Sequence, residues 1–263
     1  MTTADTSAGS VRSADGTTIA FERTGAGPAL ILVDAAGHYR DFSSFGTLTA
    51  LLAADFTVFT YDRRGRGRST DTLPYAIERE VDDLAALIAQ AGGSAFLYGV
   101  SSGALLTLQA AASGLAIPKL ALFEPPIGSD EDASADADFT RELADLVAAG
   151  RRSDAVERFH TSIGVPSEVI AQMAPQTRSA LEAVAHTLVY DCVISDATSL
   201  ELVSSVTAPT LVIDSEGSTG DLTGWAAAII GVLPNGTHRS LTGEWHGVSD
   251  EDLALVLTEF FRS

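Results

Sequence analysis

The chain has 263 residues, and 35 Asp and Glu against 16 Lys and Arg leave a formal net charge of −19. A surface this acidic repels phosphate backbones and anionic headgroups, which argues against nucleic acid and membrane partners and for a small, neutral or apolar molecule. With 46% hydrophobic and 19% charged residues, there is ample material for a core and no compositional case for disorder beyond the first ten residues. Thr17 to Arg23 alternates and is expected to pair with Val11-Arg12 as an edge hairpin around Asp15-Gly16. Ala29 to Val33 is a continuous apolar run, as in a strand buried on both faces, and Phe56–Tyr61, Ala95–Gly99 and Leu120–Phe123 follow in the same manner. Thr210–Ile213 and Thr237–Leu241 complete the strands late in the chain.

Between strands, Ile77, Val81, Leu84 and Ile88 recur at helical spacing, and so do Leu253, Val256, Leu257 and Phe260. This alternation predicts an α/β fold with a mostly parallel central sheet flanked by helices. Residues 126–205 break the pattern. They read as successive helices, Asp138–Ala149, Ser153–Ser162, Pro166–Met173 and Gln176–Val189, after an acidic loop from Ser129 to Asp138. The expected organisation is a core of residues 1–125 and 206–263 with a helical lid inserted at 126–205. The single cysteine, Cys192, can form no internal disulfide, no metal-ligand spacing occurs, and no phosphate-binding glycine loop is present, so no cofactor is expected. The opening MTTADTSAGS lacks the pattern of a secretory leader, no run approaches the ~18 apolar residues of a membrane span, and the expected location is the cytoplasm.

Gly99-Val100-Ser101-Ser102-Gly103 lies between a predicted buried strand and an apolar helix, the setting in which a G-x-S-x-G turn presents a nucleophilic serine at a helix N-terminus. With the turn Asp34-Ala35-Ala36-Gly37, the loop Asp62-Arg63-Arg64-Gly65-Arg66-Gly67-Arg68-Ser69 and a late His246, the chain resembles the α/β-hydrolase superfamily, serine-nucleophile branch, over nearly its whole length. The resemblance implies Ser101 as nucleophile, His246 as base, and the backbone N–H groups of Ala36 and Ser102 as an oxyanion hole.

The chain departs from the family pattern in two places. Ser218 stands where the family's acid usually lies, which leaves Glu124, Asp214 and Glu216 as candidate acids, or none; Glu124 is favoured because some relatives draw their acid from the end of that earlier strand. Asp34 occupies the position of a usual histidine, either bracing its loop or, with His38 and His186, facing the substrate pocket. The arginines at 63, 64, 66 and 68 either brace their loop or meet a substrate carboxylate or phosphate. The implied function is a cofactor-independent serine hydrolase acting on a small ester or lactone, with Phe139, Leu143, Phe159, Met173, Leu188 and Val189 as apolar lid residues. The two departures motivate an alternative, a hydrolase scaffold turned to ligand binding or to non-hydrolytic catalysis.

Overall fold

A computed structural model describes residues 6–127, 133–218 and 221–263. Its centre is an eight-stranded sheet. β1 (Thr6–Arg12) and β2 (Thr18–Thr24) form the expected hairpin, although β1 begins at Thr6, inside the segment expected to lack structure. β3 (Ala29–Val33), β4 (Thr57–Tyr61), β5 (Phe96–Val100), β6 (Leu120–Phe123), β7 (Thr210–Ser215) and β8 (Gly236–Leu241) complete it in the order β1-β2-β4-β3-β5-β6-β7-β8. All pairings from β4 to β8 are parallel, and β2 joins β4 antiparallel.

Alternation along the strands sends side chains to two apolar layers. Leu97, Leu120, Leu122 and Val212 pack with α2 (Ile77–Gln90), α3 (Ser102–Ala112) and α10 (Asp221–Val232). Tyr98, Ala121, Phe123 and Ile213 pack on the opposite face with α1 (Leu48–Leu52) and α11 (Asp250–Arg262). Helix α11 shows why such segments fold locally. Ser249 caps its first turn by accepting from Asp252 N–H at 3.1 Å, three acids follow at the positive end of the helix dipole, and Leu253, Leu257 and Phe261 bury one stripe.

Among the described residues, six helices lie between β6 and β7: α4 (Ala133–Ala148), α5 (Arg152–Ser162), α6 (Ser167–Ala171), α7 (Pro175–Ala183), α8 (His186–Ala197) and α9 (Leu200–Ser204). The helix expected over Gln176–Val189 is therefore two, α7 and α8, separated at Val184-Ala185. Of the acidic segment expected to be a loop, 129–132 fall outside the described residues, and from Ala133 the chain is already helical. Leu143, Val156, Leu181, Leu188 and Cys192 make a third apolar cluster, against which Ala36, Phe42, Phe139, Phe159, Met173 and Val189 pack. Beyond β8, β9 (Gly243–Glu244) and β10 (Gly247–Val248) pair Glu244 with Gly247, which leaves Trp245 and His246 as the turn.

Candidate active site

The C-terminal ends of adjacent parallel strands carry the residues singled out above, the place where open α/β sheets receive ligands. Ser101 follows β5 and caps α3 with φ 53° and ψ −123°. The reversal from strand to helix leaves no room for side chains around it. A Cβ on Gly99 would lie 2.5 Å from the Gly103 carbonyl oxygen, and one on Gly103 would lie 2.3 Å from that of Val33 and 2.6 Å from that of Asp34. The N-terminus of α3 is thereby pressed against the 34–36 turn. Neither the Ala36 nor the Ser102 N–H has a backbone partner among the described residues, so both remain able to bind an anionic oxygen.

Glu124 follows β6 and is buried. Its Oε2 lies 2.5 Å from His246 Nδ1, while Oε1 accepts from Ser215 N–H at 2.9 Å and from Ser218 Oγ–H at 2.6 Å. Ser218 also accepts from His246 N–H at 3.2 Å, and Ser215 Oγ–H donates to the Glu244 carbonyl at 2.7 Å, so the hairpin bearing His246 is tied to the end of β7. With Nδ1 donating to a carboxylate, the imidazole presents Nε2 as its free acceptor. Burial works against ionisation of Glu124, yet the hydrogen bonds from His246, Ser218 and Ser215 outweigh it and hold the carboxyl below its ordinary value.

Ser218 therefore sits beside Glu124. Its hydroxyl, at the position where the family pattern leads one to expect a carboxylate, donates to a carboxylate arriving from the neighbouring strand. Ser218→Ala is expected to lower stability by about 1.5–3 kcal/mol, the worth of a hydrogen bond to a charged group. Because Glu124 is depressed in the fold, this difference is complete at neutral pH and shrinks as pH falls through the folded-state value. Urea unfolding of both proteins at neutral and acidic pH measures it.

No hydrogen bond joins Ser101 Oγ to His246. Phe123 brings them to one place: its carbonyl accepts Ser101 N–H at 2.9 Å, and its ring centroid lies 5.9 Å from that of His246. Backbone strain collects at the same residues. Among the described residues, the non-glycine positions with positive φ are Ser101 (53°), Glu124 (43°) and His246 (54°), each a conformation that costs about 1–3 kcal/mol and persists where surroundings enforce it.

The other candidate acids lie elsewhere. Asp214 accepts from His238 Nε2 at 2.8 Å and from Ser240 Oγ, both on the adjacent β8. Glu216 is exposed and accepts from Thr242. Asp34 is only 3% exposed, and its oxygens are taken by Ala35 N–H, by Ser43 Oγ at 2.6 Å and by Ser44 Oγ, so its carboxylate is engaged within its own loop. His38 holds the Ala36 carbonyl through Nδ1 at 2.9 Å and stacks on Phe42, next to the 34–36 turn. His186 lies at the arginine loop, 3.7 Å from Asp71 and edge-on to Tyr190; burial pushes its imidazole below the ordinary value.

Three of the four loop arginines are buried in ion pairs. Arg63 makes a two-pronged contact with Glu80, at 2.8 Å for both bonds, Arg64 does the same with Asp83, and Arg66 pairs with Asp191 at 2.7 Å. Arg68 is exposed. Asp191, on α8, carries no sequence signature. It receives Arg63 Nη1 at 2.7 Å, Arg66 Nη2 at 2.7 Å and Ser102 Oγ–H at 2.9 Å while buried. Burial opposes its charge, but Arg66 and Arg63 keep the carboxyl below its ordinary value. Among the described residues, no group of three His, Cys, Asp or Glu is arranged to hold a metal ion, and no helix is long and apolar enough to cross a membrane.

A family model described as the alpha/beta hydrolase family matches residues 20–254. The chain is 44% identical to an alpha/beta hydrolase from Sphaerobacter thermophilus DSM 20745, with a TM-score of 0.86 over 96% of this chain and 100% of that one. Its fold is also similar to that of the esterase RhEst1 from Rhodococcus sp. ECU1013, at 22% identity and a TM-score of 0.71 over 98% and 99% of the two chains. A Bacillus subtilis (strain 168) protein described as the uncharacterized hydrolase YraK is 36% identical over 97 residues, a match that spans 35% of each chain and so about a third of that relative's length.

Proposed function

Because the chain belongs to the alpha/beta hydrolase family, we propose that it is a cofactor-independent serine hydrolase that cleaves a small ester or lactone through an acyl-enzyme on Ser101. The observation that carries this reading is the concentration of left-handed backbone at Ser101, Glu124 and His246, two of which are hydrogen-bonded to each other. A hydroxyl at its free pKa is a weak nucleophile and needs a base. His246 Nε2 takes the Ser101 proton as Oγ adds to the carbonyl carbon, and the carbonyl π electrons move onto oxygen, which the Ala36 and Ser102 N–H groups receive. Collapse of this adduct expels the alkoxide, which takes the proton from Nε2. Water, deprotonated by the same nitrogen, then cleaves the acyl-enzyme and restores Ser101. Throughout, Glu124 orients the imidazole and stabilises its cation.

The inserted helices act as a lid, and their apolar cluster with Ala36 and Phe42 favours an uncharged acyl group. Both departures from the family pattern that would motivate a non-hydrolytic scaffold have structural counterparts: Ser218 supports Glu124, and Asp34 is occupied within its own loop. A fluorophosphonate is expected to label the folded protein stoichiometrically at Ser101, read by peptide mass spectrometry. Intact, folded protein that takes up no label overturns the proposal.

A further inference from the structure

A peptide N–H is aimed by whatever holds the carbonyl at the other end of the same plane. Ala35 C=O and Ala36 N–H belong to one planar trans peptide and point in opposite directions. Arg66 Nη1 donates to the Ala35 oxygen at 2.9 Å and to the His38 oxygen at 3.3 Å. A guanidinium on the carbonyl fixes the plane and polarises it, making the opposite N–H a stronger donor. Arg66 is 1% exposed, and its Nε has no partner, so its remaining anchor is the bond from Nη2 to Asp191. The same carboxylate receives the Ser102 hydroxyl, on the residue that supplies the second N–H.

We infer that Asp191 and Arg66 are positioning residues for the oxyanion hole, in which one carboxylate from the inserted helices holds the Ala35–Ala36 peptide through Arg66 and Ser102 directly. This inference rests on the serine hydrolase reading. The other arginine on Asp191, Arg63, donates to Ser102 Oγ at the long distance of 3.5 Å and makes its two-pronged contact with Glu80 on α2, which also receives Tyr75 Oη–H and itself touches neither Ala35 nor Ser102. Glu80 thus provides a control, an equally buried member of the network that reaches Ser102 only through the long Arg63 contact and does not reach Ala35 at all.

The test compares p-nitrophenyl acetate turnover, fluorophosphonate labelling rate and thermal melting for wild type, Glu80→Gln and the double variant Arg66→Gln/Asp191→Asn, which removes one charge of each sign. The double variant is expected to lose about 10- to 100-fold in kcat, the scale of a misplaced reacting group, with KM within about threefold. Labelling of Ser101 should slow to the same extent. Glu80→Gln is expected to lower Tm and leave kcat unchanged.

If the double variant does not fold, Ser102→Ala leaves every charge in place, and a kcat loss of about fivefold at constant KM is expected. Unchanged kcat in the folded double variant or, should that variant not fold, in Ser102→Ala overturns the positioning role, as does an equal loss of rate in Glu80→Gln; the hydrolase reading then stands. Wild type that neither labels nor turns over overturns the hydrolase reading and this inference together.

Discussion

Ser101→Ala is expected to lower kcat on a small ester by about 10⁵- to 10⁶-fold while leaving Tm nearly unchanged. In the proposed mechanism the substitution removes the one atom that forms the acyl bond, and Nε2 of His246 is left with no oxygen to deprotonate except water. The loss is not total because the two N–H groups and the apolar cluster remain. Stability holds because alanine inherits the same left-handed backbone and loses only a hydroxyl, while Ser101 N–H keeps its bond to Phe123. Turnover in the alanine variant above about 1% of wild type would mean that the reaction does not pass through Ser101, since a residual on that scale exceeds what binding and oxyanion stabilisation alone retain.

Glu124→Gln is expected to cost about 10³- to 10⁴-fold in kcat, the scale seen when the acid of such a triad becomes its amide. Glutamine can still accept from Ser215 and Ser218 through its carbonyl oxygen. What it loses is the charge facing Nδ1. An amide NH₂ turned toward the ring would force the tautomer in which Nδ1 accepts and Nε2 carries the proton, the wrong form for a base. Asp214→Asn and Glu216→Gln should each leave kcat within about twofold, because neither carboxylate reaches the imidazole. The comparison is demanding, since His238 and Asp214 form a second histidine–carboxylate pair at 2.8 Å. That pair lies across β7 and β8, with Asp214 at the register position of Ser240, and its ion-pair partner is a strand residue with a 41% exposed side chain. Comparable rate losses in Glu124→Gln and Asp214→Asn would remove the assignment of Glu124.

Some of this site was legible in the sequence because it depends on short-range constraints. The strand Leu120–Phe123 is bounded as expected, and the glycines at 99 and 103 announce a turn whose cause is plain in the distances a Cβ would meet there. His246 could be found by its position after β8, the last strand of the main sheet. The helix break at Val184-Ala185 could not, because alanine and valine continue a helix as readily as they end one, and α8 is turned so that Tyr190, Asp191 and Ile194 bury. Helix α10 gave no periodic stripe, since AAAII within it is apolar on every side. Asp191 was invisible for another reason. Its partners lie 125 and 128 residues away, and a single aspartate in a helix says nothing of two arginines on a distant loop.

That same aspartate limits how the protein can be recombined. The helices between β6 and β7 are contiguous in sequence, and they invite exchange with those of a relative to change what the enzyme accepts. Arg63 and Arg66, however, belong to the recipient core, and each relies on a carboxylate that the donated segment must bring. A transplanted segment with an apolar residue at position 191 would leave two guanidiniums buried and undercompensated, a defect of about 3–5 kcal/mol. The unit that can be exchanged intact is therefore the helical segment together with the Arg63–Arg66 loop and helix α2, whose Glu80 and Asp83 hold the same loop, joined by charge across boundaries that the chain order does not mark.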